Sequence, residues 1–406
     1  MRNIQNTRFH YGYVIVACCF LIMFVIVGMV MSCAGIFYKP VSEELGVDVG
    51  KFGIYMSLNF LFSTLTLSFA GKLMERYSAR WILTTCAAVI AATFLAMSRF
   101  DALWLFYVAG IVFGFTLAFL LYLGFPTLIN RWFQSRMGLF IGICSAGSGI
   151  GGVLFNPLAG HLITEYGWRT TYALFGIVIL FVVTPLLGSF LRDYPKDKGL
   201  EKFGTSSDER VTTQEKNGIG YAKAIKMPIF YGLIVFAFMM NATATLNIFV
   251  PTYMQETYSV EQASLVASAV MVGVTVGKVL LGVINDRSTT SGLLTTIAFG
   301  CVGLLLLMMG HMGISISLIG GFLFGWAYAG VTVQTPMLVR SVFGNRDYAP
   351  IYSNVSMAIA IGGAIAAGGW GLLADHTSYC LIMSVGIALL LTSGIIGMYA
   401  LSLKRK

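Results

Sequence analysis

Lys278 is the residue whose type and position are most informative about chemistry. It lies in a long apolar stretch, eight positions before the next charged residue, Asp286, which in a helix is about 12 Å along the axis. If that stretch crosses a membrane, a charge at this depth costs from about 2.5 to more than 10 kcal/mol. Two interpretations stay open. Lys278 is a structural lysine that extends to the interface or pairs with backbone carbonyls, or its counter-ion arrives as a carboxylate substrate.

Uncharged polar residues elsewhere in the apolar stretches are candidates for contacting the same anion. Tyrosine offers an apolar ring with a hydroxyl donor at its tip, and asparagine or glutamine equally suits a bond between helices. The candidates are Tyr122, Tyr328, Asn247, Gln334 and Asn59.

The sequence predicts neither a metal or cofactor site nor an enzyme. No His, Asp or Glu cluster lies within the apolar stretches to act as metal ligands or as an acid–base pair. All seven cysteines fall in apolar stretches without a CxxC pair, which favours a role as small hydrophobic residues.

The elements that position these residues are transmembrane helices. The chain is 57% hydrophobic and 11% charged, whereas soluble proteins carry about 25% charged residues. Apolar runs of about 20 residues recur along the chain, and such runs cross a bilayer as helices. We therefore predict an all-α membrane protein. Twelve spans are predicted at 11–36, 52–70, 80–98, 102–125, 137–163, 168–191, 228–254, 262–284, 292–311, 314–339, 348–374 and 379–402.

The basic residues predict the orientation of these spans. With the N-terminus placed in the cytoplasm, 21 of the 26 Lys and Arg residues fall on the cytoplasmic side, four fall on the other side, and Lys278 lies within a span. Positive residues accumulate on the cytoplasmic side of membrane proteins. We expect both termini in the cytoplasm of a multi-pass protein of the cell membrane. The net charge of +9 therefore reports orientation and does not indicate nucleic-acid binding.

An internal repeat divides the chain into two halves. A shift of 211 positions places Pro40 on Pro251 and Gly160 on Gly371, and the matches at this offset fall at five helix positions in all. The polar stretch 192–227 lies between the repeats. We predict an N-terminal six-helix half at 1–191, a cytoplasmic linker at 192–227 and a C-terminal six-helix half at 228–406. Halves of equal orientation place a substrate site near the membrane midplane between them.

Two loop motifs occupy corresponding positions in the repeats. One runs from Gly71 through Glu75 to Arg76, and the other from Gly282 through Asp286 to Arg287. They resemble the G-x-x-x-D-R loops of the major facilitator superfamily, although Glu75 replaces the usual Asp. The stretch from Asn130 to Leu139, which includes Arg131 and Arg136, is similar to the monocarboxylate and oxalate/formate transporters of that superfamily.

This resemblance implies a fold, a function and roles for residues. It implies a monomer of twelve helices that moves a small carboxylate by alternating access, with the motif residues, Arg131 and Arg136 as gating or structural groups at the cytoplasmic face. In these families an arginine that binds carboxylate usually occupies the position of Lys278. Val274 and Ser32 stand where some monocarboxylate carriers have an acid and a lysine, which leaves open whether a proton travels with the anion.

The alternatives are an anion exchanger of the oxalate/formate type and a membrane sensor that binds the anion without moving it. The oxalate group pairs a second basic residue in the eleventh helix, and 351–374 has none. One cation suits one carboxylate, so a monocarboxylate such as lactate, pyruvate or formate is favoured. The partners expected are therefore this anion, the lipid bilayer and, in the symport case, a proton.

Overall fold

The computed structural model describes residues 10–134, 136–204, 218–344 and 346–404, and within them the chain is helical without a strand. Ten helices are long and apolar enough to cross a membrane, and the bent helix Val49–Arg76 is an eleventh. One of the ten, Leu139–Phe190, is interrupted at Gly167 by backbone angles of φ 78° and ψ 163° and makes two passes. The predicted architecture of twelve helices is confirmed.

The helices are numbered here in chain order. They are α1 Gly12–Leu45, α2 Val49–Arg76, α3 Ala79–Met97, α4 Leu103–Trp132, α5 137–166, α6 168–190, α7 Pro228–Ile248, α8 Val260–Arg287, α9 Thr289–Met308, α10 Ile314–Phe343, α11 Tyr348–His376 and α12 Tyr379–Lys404. We refer to α1–α6 as the N half and to α7–α12 as the C half. Twelve passes return the chain to the side on which it began. The face where α1 begins and α12 ends is called the terminal face, and the other is the opposite face.

The loops of the N half are held together at the opposite face by Arg169. Its guanidinium donates to Glu44 Oε1 at 2.8 Å, to Asp101 Oδ1 at 2.7 Å and to the carbonyl of Phe100 at 3.1 Å. An arginine can serve several acceptors in this way because its donors form a planar fork. The connections α1–α2, α3–α4 and α5–α6 are therefore fixed relative to one another.

Both described ends of the segment between the halves attach to the terminal face. Phe203 exchanges backbone hydrogen bonds with Trp132 and Gln134, both at 2.9 Å, and Ile219 donates to Phe343 at 2.8 Å. The two attachment sites are loops related by the 211-residue repeat, since Phe133 corresponds to Gly344. Residues 205–217 of the predicted linker lie outside the described residues, and the boundaries 192 and 227 stay a prediction.

Four of the described helices depart from α-helical geometry, among them α6, where Ile179–Val183 is π-helical. Ile22–Ser32 in α1 and Ala118–Gly124 in α4 are π-helical, and Thr245–Ile248 in α7 is a 3₁₀ turn followed by Val250–Met254. Such segments are frequent at functional sites. Tyr122 and Asn247 lie in two of them.

Gly167 provides the first testable prediction. Its backbone angles are essentially restricted to glycine and cost other residues about 1–3 kcal/mol, so Gly167→Ala is expected to lower stability by about that amount. Gly142→Ala is the matched control, because Gly142 is helical within the same stretch and a Cβ there meets nothing within 4 Å. The control is expected to gain about 0.5–1 kcal/mol. Thermal unfolding in detergent measures both; an equal response of the two variants contradicts the assignment of the break.

Candidate functional site between the two halves

The two halves touch along three helix pairs on the side of the opposite face. The end of α1 packs against the end of α7, where Gly35 meets the carbonyl of Ile248. The other two pairs we call the α2–α11 seam and the α5–α8 seam. In the α2–α11 seam the backbones of Gly50 and Gly371 touch, leaving no room for a Cβ on either residue. The Gly50 amide donates to both carboxylate oxygens of Asp375, at 2.9 and 3.0 Å. Small residues permit such close approach in lipid.

The α5–α8 seam is equally tight. Gly160 packs against Ser264, and Gly152 packs against Met271. The Ser268 hydroxyl donates to the carbonyl of Val153 at 2.7 Å. The last close contact toward the terminal face joins Gly149 to Thr275. This side of the molecule is therefore closed.

The terminal side of the same helices is open. Gly142 on α5 and Gly282 on α8 would each have space for a Cβ with no atom within 4 Å. Every ion pair found in the described part of the chain lies toward the opposite face. These pairs are Lys39–Glu43, Lys51–Asp48, His161–Glu261, Arg169–Glu44 and Arg169–Asp101. The structure is thus a state open at the terminal face.

The predicted gating residues make no ion pair among the described residues in this state. Arg131 donates to the carbonyl of Met74 at 2.7 Å and lies 4.7 Å from the centre of the Tyr194 ring, which caps the end of α2 within the N half. Arg76 lies over the ring of Tyr77 at 5.7 Å. The structure does not test a latch formed by Glu75, Asp286, Arg287 and Arg136. That role stays a prediction for the alternate state.

Lys278 lies where the closed part ends, less than one helical turn beyond Thr275. The lipid face of α8 is marked by the exposed Val279, Leu280 and Val283. The Lys278 side chain is partly exposed and lies on the other side of α8, on the same face as the buried Val274 and Asn285. It therefore faces the interior between the halves.

The described residues form no hydrogen bond or ion pair with the Lys278 ammonium. A lysine with these surroundings in a membrane is a functional candidate by default. The interpretation of a structural lysine bonded to the backbone finds no support in this arrangement.

Tyr122 and Tyr328 approach each other across the interior. Tyr122, on α4 in the N half, lies within electrostatic range of Tyr328, on α10 in the C half. Gly277, next to Lys278, packs against Trp326 and Ala329 on either side of Tyr328. Lys278 and Tyr328 therefore occupy the same layer, and Tyr122 is 39% exposed.

The remaining candidates lie apart from this group. Gln334 is buried within the C half, where it accepts from Asn285 Nδ2 at 2.9 Å and donates to the carbonyl of Thr289 at 3.1 Å, so this geometry favours a structural role. Asn59 is buried against the sulfur atom of Met31 at 3.3 Å. Asn247 is buried in the 3₁₀ turn of α7. The carbonyl oxygens of both asparagine side chains lack a partner among the described atoms.

Comparison with known proteins decides the family. The sequence model described as Major Facilitator Superfamily matches residues 20–259 and 232–406. The chain belongs to the major facilitator superfamily.

Individual relatives agree with this assignment. The chain is 23% identical over 368 residues to the uncharacterized MFS-type transporter YcxA of Bacillus subtilis, covering 89% of this chain and 88% of the relative. It is 24% identical over 203 residues to the oxalate:formate antiporter of Oxalobacter formigenes, covering 48% and 46%. The crystal structure of the nucleoside transporter NupG superposes with a TM-score of 0.75 at 12% identity, over 97% of this chain and 99% of that one, which shows the shared fold. The resemblance drawn from the sequence motifs is confirmed.

Sequence reasoning missed the contact between Asp375 and Gly50, one of those that close this major facilitator protein at the opposite face. Asp375 attracts little notice in the sequence because it stands at the end of a span, where charged residues are common. A signal was nevertheless present. The repeat that places Gly160 on Gly371 also places Gly50 on Glu261. Gly160 and Glu261 belong to the α5–α8 seam, and Gly371 and Gly50 belong to the α2–α11 seam, so a contact in one seam predicts a contact in the other.

Reactivity of introduced cysteines tests which side is open. Ser264 and Gly282 lie on the same face of α8, five turns apart, one in the α5–α8 seam and the other in open space. We expect Gly282→Cys to react rapidly with a hydrophilic maleimide and Ser264→Cys to react at least about tenfold more slowly, since burial in the seam excludes the reagent. Mass spectrometry relative to the parent chain measures this. Equal rates would show that the seam is not closed in solution.

Proposed function

We propose that this protein is a secondary transporter that moves a small carboxylate anion, most simply a monocarboxylate of the lactate, pyruvate or formate type, by alternating access. The observation that carries the proposal is Lys278, a lone cation at the closed end of the interior, without an acidic partner among the described residues. A bound carboxylate supplies the missing counter-charge. The likeness to an oxalate:formate antiporter supports the same class of substrate.

Tyr122 and Tyr328 are proposed as the donors that accompany Lys278 in the site. The two tyrosines lie within electrostatic range of each other, one in either half. A ligand held by both halves resists their separation, so binding is linked to the alternation of the two faces. Lysine offers a point charge in place of the two parallel bonds of arginine, which suits a small anion bound in more than one orientation.

We further propose that the terminal face is cytoplasmic and that the protein resides in the cell membrane, on the count of basic residues. The Gly282→Cys variant also tests this orientation. A membrane-impermeant maleimide is expected to modify it in inverted vesicles and to leave it unmodified in intact cells. Rapid modification in intact cells reverses the assignment.

The charge of the substrate is the direct test of the site. Lactate is expected to stabilise the purified protein against heating, whereas lactamide is not, because Lys278 requires an anion. In Lys278→Gln the stabilisation by lactate should be lost, and a loss of at least about tenfold in affinity is expected for a buried charge-assisted contact. Lys223→Gln is the matched control, since Lys223 is an exposed cation at the terminal face. Equal responses to lactate and lactamide in the parent contradict the proposal.

Coupling to a proton is proposed through the same lysine. With the site empty, burial without a counter-charge disfavours the ammonium, and a bound carboxylate favours it, so binding of the anion is accompanied by uptake of a proton. Arginine stays protonated in either state. We therefore expect Lys278→Arg to retain exchange of labelled anion in proteoliposomes and to lose accumulation driven by a pH gradient. Accumulation equal to that of the parent rules out Lys278 as the proton carrier and leaves anion exchange as the function.

A further inference from the structure

The two seams at the opposite side are copies of one arrangement. A shift of 211 positions places Ser57 of α2 on Ser268 of α8, and Pro157 of α5 on Gly368 of α11. In each seam a serine hydroxyl lies against the partner helix from the other half. The serine hydroxyl is hydrogen-bonded in the α5–α8 seam and has no partner in the α2–α11 seam. The cause is the residue on the facing helix, which is proline in the first seam and glycine in the second.

Ser268 has an acceptor because of Pro157. In an α-helix the carbonyl of residue 153 accepts from the amide of residue 157, and proline has no amide hydrogen. The Val153 carbonyl is therefore free, and the Ser268 hydroxyl donates to it at 2.7 Å. The α5–α8 seam gains a hydrogen bond between the halves and leaves neither group unsatisfied.

Ser57 faces Gly368, which has an amide hydrogen. α11 is continuous here, so the carbonyl of Ala364 accepts from the amide of Gly368, and this seam lacks the free carbonyl that Pro157 leaves at Val153. The Ser57 hydroxyl is buried without a hydrogen-bond partner, and a Cβ on Gly368 would lie 2.8 Å from it. An unpaired buried hydroxyl destabilises the state that buries it, so this seam is weaker at its centre than its copy.

The outer end of the α2–α11 seam compensates for this weakness. Asp375 ends α11 in the C half, and its carboxylate accepts from Gly50 in the first turn of α2 in the N half. A carboxylate at a helix N-terminus is stabilised by the helix dipole and by the free amides there. Lys51, the neighbouring cation, is paired with Asp48 at 2.6 Å.

We propose that the α2–α11 seam is the gate of the opposite face, and that the Asp375–Gly50 contact holds it shut against the unpaired hydroxyl of Ser57. The α5–α8 seam, in which Ser268 is hydrogen-bonded to Val153, separates after the α2–α11 seam and is the more persistent contact. The proposal concerns the balance between two states of the empty protein. It holds whether or not the substrate is a carboxylate.

Distances between spin labels test this gate. One pair, at Glu43→Cys and Thr377→Cys, reports on the side of α2 and α11; the other, at Glu165→Cys and Leu265→Cys, reports on α5 and α8. All four positions are exposed. Double electron–electron resonance on reconstituted protein without substrate gives the ratio of long to short distances.

The two kinds of variant are expected to act in opposite directions. Asp375→Asn removes the charge and keeps an acceptor, and should raise the long-distance ratio of the first pair about two- to fivefold. Ser57→Ala removes the unpaired hydroxyl and should lower that ratio at least about fivefold. Tyr172→Phe is the matched control, because the unpaired buried hydroxyl of Tyr172 lies inside the N half, away from the gate. In this variant the ratio of long to short distances should stay unchanged.

Either an unchanged ratio in Asp375→Asn or a higher ratio in Ser57→Ala overturns the proposal. An equal response of the second label pair to these variants also overturns it, because the two seams then open as one. Loss of the lactate response in the binding experiments, with these distance changes intact, contradicts the proposed substrate and leaves the gate standing.

Discussion

Close approach of helix backbones between the two halves is the constraint on which the rest of this structure depends. In a bilayer the lipid tails are as apolar as the side chains, so burial of apolar surface does not draw helices together, and tight packing must do so. Gly50 against Gly371 and Gly149 against Thr275 leave no room for a larger side chain. These contacts close one side of the molecule and fix the depth at which the interior ends. Lys278 owes its position to them, since it lies just beyond the last one.

The solvation of Lys278 connects this packing to function. An ammonium that faces lipid could not persist, and one that faces bulk water would bind small anions weakly. The structure gives it an intermediate environment, on the interior face of α8 with partial exposure and with no acid of the described residues beside it. In such an environment a single carboxylate contributes far more than it would in water. For the carboxylate transport proposed above, the same surroundings would link the charge state of the lysine to the presence of the anion.

The internal repeat explains both the likeness and the inequality of the two halves. Duplicated segments of equal orientation produce seams that correspond residue by residue. A change at one position in one copy, proline at 157 and glycine at 368, then alters the hydrogen bonding of the serine that faces it. A transporter that alternates between two faces requires contacts that form and break, and unequal copies of one seam allow each to do so with a different strength.

The sequence by itself determined the class of structure, because the absence of water in lipid forces every long apolar run to become a helix. Run lengths gave the twelve spans, the 211-residue repeat gave the two halves, and the isolation of one charge singled out Lys278. The sequence did not decide which polar residues share the interior. Gln334 and Tyr328 are six residues apart on α10, and each residue of a helix is rotated by about 100° from the one before it. With the neighbouring helices packed around α10, Gln334 is hydrogen-bonded to Asn285 inside the C half, whereas Tyr328 lies near Tyr122. The contact of Asp375 with Gly50 joins residues 325 positions apart. It depends on the angle at which the two six-helix halves pack against each other, and no local pattern in the sequence encodes that angle.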